Sequence, residues 1–322
     1  MKVSGITPSG RPQLGNYLGA IRRWAVDGSE HDLYFIGDLH AMTTTHNPAK
    51  LRAQADESLA VLVASGISPE RVFVQSDLAR ELGALTWVLE CTCSYGEAAR
   101  MIQFKEKADG QAGVRLSLFT YPVLMAADIL LQGASEVPVG EDQSQHVELA
   151  RALARRFNAT YGEVFTVPRA VLPLTGARVR DLTDPSRKMS KSSPDAGGVV
   201  FVLDEPDLIR RKIRRAVTDS GSTPVYDPDG RPGVANLLEI LAACTDRSPR
   251  DVAGEHATYG ALKEAVAEAV VEALRPVRER TTELLGDPAE LARIRKAGAA
   301  RAAERGEHRL NSALRLIGAT AS

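Results

Sequence analysis

The chain has 322 residues, 44% hydrophobic and 25% charged, the composition of a globular protein long enough for two domains. A formal net charge of -1 excludes a general electrostatic affinity for nucleic acid, so any RNA contact must come from local patches. No apolar run approaches the roughly 20 residues of a membrane span, and three cysteines, Cys91, Cys93 and Cys244, are too few and too scattered for a zinc site.

In chain order, Val3 to Ile6 is a short apolar run followed by a turn cluster, Thr7 to Gly10. Leu14, Leu18, Ile21 and Trp24 then recur at helical spacing, and Leu33 to Ile36 predicts a buried strand. Strand, glycine-bearing loop, helix and strand make a right-handed βαβ unit. Asn47-Pro48 predicts a helix start and Gly66 its stop. Val72 to Val74 reads as the next strand, and Asp77 to Cys93 as a helix. A helix is predicted from Pro122 to Leu131, a strand from Glu136 to Val139, and a helix opening at Gly140 and running to Phe157. Alternating strands and helices predict an α/β fold, a doubly wound parallel sheet that binds nucleotides at the carboxyl ends of its strands. Beyond the loop at 184–198 the periodicity turns helical: Asp207 to Ala216, Val234 to Cys244, Ala261 to Leu285 and Pro288 to Ile317.

The loop DPSRKMSKSSP at 184–194 places Lys188 and Lys191 three residues apart, with hydroxyls between and after them. Two such ammonium groups form either an anion clamp suited to a polyphosphate or a solvated basic surface. In the first loop, Gly15 at a helix start either admits an anion to the backbone or marks an ordinary turn. Asp128 is the only charge in an apolar helix, where Tyr121, Met125, Asp128 and Gln132 share one face. Its buried carboxylate requires a donor, supplied by a substrate N–H or by a structural Arg or Tyr.

Seven blocks in order resemble the bacterial tryptophanyl-tRNA synthetases, a class I aminoacyl-tRNA synthetase family. They are SGITPSG at 4–10, LGNYLGA at 14–20, DLHA at 38–41, QFKEK at 103–107, TYPVLMAADIL at 120–130, VPVGEDQ at 137–143 and KMSKS at 188–192.

The resemblance implies ATP-dependent activation of L-tryptophan and transfer to tRNA(Trp), with Mg2+ accompanying the ATP and no zinc. Lys188, Lys191 and Lys107 would stabilise the leaving pyrophosphate. Thr7, Ser9, Gly15, Asn16, Gly140, Asp142, Met189 and Ser190 would line the ATP site. Asp128 would read the indole nitrogen, with Met125 and apolar neighbours around the ring. Tyr121, Gln143, His40 and Gln103 would surround the ammonium and carboxylate, and Gly5, Val137 and Val139 complete the pocket. His146 is read instead as a packed core histidine.

Thr7 stands where the family has Gln, and Gln13 where it has His or Thr; the Gln13 amide is read as a donor to phosphate. The resemblance also implies a Rossmann-like catalytic domain at 1–185, a helical anticodon-binding domain at 186–287 and a C-terminal helix at 288–322 packing back on the first. A homodimer in the cytoplasm, with no membrane contact, is expected. Arg210 to Arg215, with Arg293, Arg295, Lys296, Arg301 and Arg305, could meet tRNA phosphates or solvent. A tyrosine-type class I synthetase, or a catalytically retired regulatory or RNA-binding paralogue, is the alternative.

Overall fold

Strand β1 (Val3–Ile6) leads through a loop into α1 (Leu14–Asn16), a π-helical turn (Tyr17–Ile21) and α2 (Arg22–Val26). Strand β2 (Leu33–Ile36), α3 (Asp38–Ala41), α4 (Pro48–Ala64), β3 (Val72–Val74), α5 (Ala79–Thr92) and α6 (Tyr95–Ala99) follow. Then come α7 (Leu116–Gln132), β4 (Glu136–Pro138), α8 (Ser144–Tyr161) and β5 (Arg169–Val171). The second half is α9 (Pro206–Arg214), α10 (Pro232–Thr245), α11 (Pro249–Ala253), α12 (Tyr259–Gly286) and α13 (Pro288–Leu316). This computed structural model describes residues 1–101, 114–172, 179–191 and 196–319.

Strands β1, β2 and β3 pair in parallel, with Gly5 opposite Phe35 and Phe35 opposite Phe73. Strands β4 and β5 pair in parallel too, and a parallel bridge from Lys2 to Glu136 joins the two groups. The order is therefore β3-β2-β1-β4-β5, the doubly wound arrangement, with the carboxyl ends of β1, β2 and β3 on one side.

Alternation along the strands sends side chains to two cores. Leu33, Phe35 and Phe73 face α5, α7 and α8, packing with Leu85, Val123, Ile129 and Phe157. Tyr34, Ile36, Val72 and Val74 face the other way, onto Leu59 and Leu62 of α4 and onward to Leu237, Val266 and Leu274 of the helical half. The sheet face and the helical half thus share one apolar core. Helix α13 crosses the β3 edge: a Cβ on Gly298 would lie 1.7 Å from the Val72 carbonyl, so only glycine permits that approach. Covering the edge with a helix hides strand groups that would otherwise template another chain.

Helix α4 begins as expected. The Asn47 side chain accepts from Lys50 N, Pro48 is the first helical residue, and Gly66 past the end has φ of 100°. Helix α7 departs from expectation, starting at Leu116 with Pro122 inside it. An internal proline costs about 3 kcal/mol in a helix. Here Leu118 is buried and Arg115 Nη1 donates to the Met42 and Thr44 carbonyls at 3.0 and 3.2 Å, anchoring the extra turn. On the shared face of α7, Gln132 is turned to α13 and donates to the Ala302 carbonyl at 3.1 Å, away from the strand ends. No described helix is long and apolar enough to cross a membrane.

Candidate active site

Three loops leave the carboxyl ends of β1, β2 and β3, and α7 passes beside them. Asp128 on α7 is 2% exposed. His40, on α3 after β2, has Nε2 at 2.9 Å from Asp128 Oδ2. Gln75, immediately after β3, directs Nε2 at both Asp128 oxygens, at 3.0 and 2.8 Å, and its Oε1 accepts from His40 N at 3.3 Å. Burial pushes the Asp128 carboxyl above its usual pKa, while hydrogen bonds from His40 and Gln75 pull it back. When Asp128 is ionised its carboxylate only accepts, and the hydrogen of that contact is then on His40 Nε2. The donor demanded by the lone charge in α7 is therefore an amide and an imidazole, neither Arg nor Tyr. Gln75 was missed by sequence reasoning. The available signal is a polar side chain placed directly at the end of an apolar strand, Val72 to Val74.

A second chain of contacts runs from α7 to the loop after β4. The Tyr121 hydroxyl is 3.1 Å from His146 Nε2, His146 Nδ1 is 2.8 Å from Gln143 Oε1, and Gln143 Nε2 donates to Asp142 Oδ2 at 3.0 Å. His146 is buried, as a core histidine should be. It also links two residues expected at the substrate, a role the sequence reading did not give it. Gly140 lies against Asp142, where a Cβ would come 2.6 Å from Oδ1. Val137 is buried, Val139 and Met125 are half-buried, and all three border the core face beneath α7. Gly5 is exposed at the end of β1 and lies over the Phe35 ring. A cavity of about 290 Å³ opens between α3, α5 and α7, with Tyr121, Thr86 and Trp87 in its wall.

The first loop and the lysine loop meet directly. Lys191 Nζ donates to the Thr7 carbonyl at 3.0 Å, and a Cβ on Gly10 would lie 2.8 Å from Lys191 Cβ. Desolvation pushes the Lys191 ammonium down to about 8, with Glu57 opposing the shift. Met189 is buried and its N–H donates to the Val179 carbonyl at 3.0 Å; Lys188, Ser190, Thr7 and Ser9 are exposed. Asn16 Oδ1 accepts from Gln13 N at 3.3 Å, closing a capping box at the start of α1 with Gly15 inside it. The Gln13 amide is not turned outward as a phosphate donor. Nε2 donates to the Met189 carbonyl at 2.9 Å, and Oε1 accepts from Gly15 N. Gln103, Lys107 and Ser192 lie outside the described residues. Among the described residues no cluster of His, Cys, Asp or Glu could hold a metal ion.

The basic residues divide sharply. Arg295 pairs with Asp77 at 2.7 Å, Arg301 with Glu70 at 3.2 Å, and Arg305 donates to the His31 carbonyl at 3.0 Å. These α13 arginines clasp the sheet half. Lys212 is buried on Asp204 at 2.6 Å, and Arg210 pairs with Glu268 at 2.7 Å, whereas Arg211, Arg214 and Arg215 are exposed.

Residues 2–275 match the family described as tRNA synthetases class I (W and Y). A Streptomyces coelicolor protein named Tryptophan--tRNA ligase 1 is 54% identical over 98% of this chain and 96% of its own. A Clostridium perfringens Tryptophan--tRNA ligase is 48% identical over 93% and 91%. Among solved structures, tryptophanyl-tRNA synthetase from Campylobacter jejuni, complexed with ADP and tryptophan, superposes with a TM-score of 0.84 at 32% identity over 99% of this chain and all of that one. Tyrosyl-tRNA synthetase from Aeropyrum pernix gives 0.66 at 26% identity over 92% and 88%.

Proposed function

The chain belongs to the class I tRNA synthetases for tryptophan and tyrosine, and we propose that it activates L-tryptophan with ATP and transfers the tryptophanyl group to tRNA(Trp). Near-full-length relatives with about half their residues identical carry the tryptophan name. The observation that carries the choice within this chain is Asp128. It is a buried carboxylate held from the sheet side by Gln75 and His40. A carboxylate has about four acceptor sites, so it retains capacity for the donor-only indole N–H.

In the first step the tryptophan carboxylate oxygen bonds to the α-phosphorus of ATP as the bond to pyrophosphate breaks. A carboxylate is already a nucleophile, so positioning and charge stabilisation suffice. Mg2+ arrives with the nucleotide as part of the substrate. Thr7, Ser9, Gly15, Asn16, Gly140, Asp142, Met189 and Ser190 form the nucleotide side. Tyr121, Met125, Asp128, Gln143, His40, Gln103, Gly5, Val137 and Val139 form the tryptophan side. Lys188, Lys191 and Lys107 meet the departing pyrophosphate. The short path from Lys191 Nζ to the first loop supports that role for Lys191. In the second step the terminal adenosine hydroxyl of tRNA displaces AMP.

The division into a catalytic domain at 1–185, an anticodon-reading domain at 186–287 and a returning helix at 288–322 belongs to the same proposal, as does a cytoplasmic location. So does a homodimer. Trp87, Tyr95 and Leu116 are 68, 79 and 75% exposed on α5, α6 and α7, with α7 packed against the other two, a face a second copy would cover. Tryptophan-dependent exchange of pyrophosphate into ATP, with tyrosine in parallel, tests the activation step, and charging of purified tRNA tests the transfer. Exchange supported by tyrosine alone, or by neither, overturns the proposal.

A further inference from the structure

We propose that Gln13 is a positioning residue that couples the two signature loops, its one amide setting where the lysines at 188 and 191 stand relative to the start of α1. The inference rests on the function proposed above. Gln13 is 2% exposed, and each end of its amide has a protein partner. Nε2 donates to the Met189 carbonyl at 2.9 Å across 176 residues of sequence, and Oε1 accepts from Gly15 N. The partners determine the orientation. A carbonyl can only accept and an N–H only donate, so a flipped amide would break both bonds.

The backbone reinforces the link on the far side of the lysine loop. Leu14 N donates to the Val200 carbonyl at 2.8 Å, and Val202 N to the Pro12 carbonyl at 3.0 Å. Met189 within the loop, between the two lysines, and Val200 and Val202 after it are therefore all attached to residues 12–14. Of these attachments, only the one at Met189 is made by a side chain. With Nε2 on the Met189 carbonyl, Oε1 on Gly15 N and the side chain buried, the amide is aimed at protein partners in this arrangement. Gln13 thus acts through Met189 and Gly15. A shorter hydroxyl side chain cannot span from Gly15 N to the Met189 carbonyl, and an apolar one of similar size makes neither bond.

Gln13→Leu and the isosteric Gln13→Glu, in the full chain, test the idea by two readouts. Without nucleotide, amide hydrogen exchange is followed over Arg187 to Lys191 and over β1, β2 and β3. With substrates, tryptophan-dependent pyrophosphate exchange gives kcat and both KM values. In Gln13→Leu the 187–191 amides should exchange about tenfold faster, the size of one lost buried hydrogen bond. The strands should be unchanged. In both variants kcat should fall about tenfold, with KM for tryptophan within about twofold of wild type. Gln13→Glu should be at least as impaired, because its carboxylate faces the Met189 carbonyl with no donor. Faster exchange spread equally over the strands would mean general destabilisation and overturn the proposal. So would a raised KM for ATP with 187–191 exchanging at the wild-type rate, the signature of direct phosphate contact. If the wild type shows no tryptophan-dependent activity, the functional proposal fails, and hydrogen exchange alone still decides the coupling.

Discussion

His40 Nε2 lies 2.9 Å from Asp128 Oδ2, so an imidazole from the β2 loop and a carboxylate from α7 meet beneath the strand ends. Gln75 completes the clamp from the β3 loop. A hydrogen bond to a charged acceptor contributes about 1.5–3 kcal/mol. Asp128→Asn should therefore lower kcat/KM for tryptophan roughly ten- to hundredfold in pyrophosphate exchange. An unchanged value would remove Asp128 from indole recognition.

Gln75→Leu tests the clamp through pH. Burial already raises the Asp128 carboxyl, and Gln75 is one of the groups that lowers it. Without that donor the carboxyl stays protonated to higher pH, and the accepting form is lost earlier on acidification. The acid limb of kcat/KM for tryptophan should therefore move to higher pH than in wild type. The folded state binds the proton more tightly than the unfolded chain. Stability of the variant should accordingly fall as pH rises from about 4 toward the raised folded value. Coincident acid limbs in the two proteins would contradict the clamp.

Lys191 predicts an alkaline limb. Its ammonium is pushed down to about 8 by desolvation, against an unperturbed lysine near 10.4. In the free protein the charge needed for pyrophosphate is lost as pH rises through that value. The kcat/KM for ATP should fall above about pH 8. Lys191→Arg, which keeps its charge, should flatten that limb even if its absolute rate is lower. A profile flat to pH 10 in wild type would show that the ammonium is not the titrating group.

Much of this was legible in the sequence, and the parts that were not have physical reasons. Strands β1, β2 and β3 announced themselves as apolar runs because both faces of a parallel sheet are covered. Strand β5 and helix α6 are too short to carry a period. The start of α7 was hidden by Pro122, which propensity places at a helix start and tertiary anchoring places inside one. At the site, Asp128 could be picked out because a lone charge in an apolar helix demands a partner. Gln75, signalled only by its place at the end of an apolar strand, and the bridging contacts of His146 were harder to see, since a buried polar side chain joined by hydrogen bonds looks in sequence like any other. The outward basic look of α13 concealed Arg295, Arg301 and Arg305, whose partners Asp77, Glu70 and His31 lie more than 200 positions away.

That last group yields a stability prediction. Arg295 makes a two-pronged contact with Asp77, at 2.8 Å from Nε and 2.7 Å from Nη2. Half-exposed pairs of good geometry contribute up to about 1 kcal/mol. Arg295→Ala should lower Tm by a few degrees and leave KM for tRNA unchanged. A tRNA-specific loss with Tm intact would return Arg295 to the RNA-binding surface.

Gly5 makes the final test, because it joins the sheet core to the exposed floor of the site. A Cβ there would lie 2.8 Å from three atoms of the Phe35 ring, and that ring is stacked on Phe73 with centroids 5.7 Å apart. Neither ring can withdraw without disturbing the core between β2, β3 and α7. Overpacking of this kind typically costs about 1–3 kcal/mol. Gly5→Ala should therefore lower Tm and raise KM for tryptophan together. Phe35→Leu alone should destabilise by leaving a void. Combined with Gly5→Ala, it should cost less than the sum of the two, since the methyl group then enters space the ring has vacated. Strict additivity in the double variant would show that the methyl group and the ring do not compete for the same space.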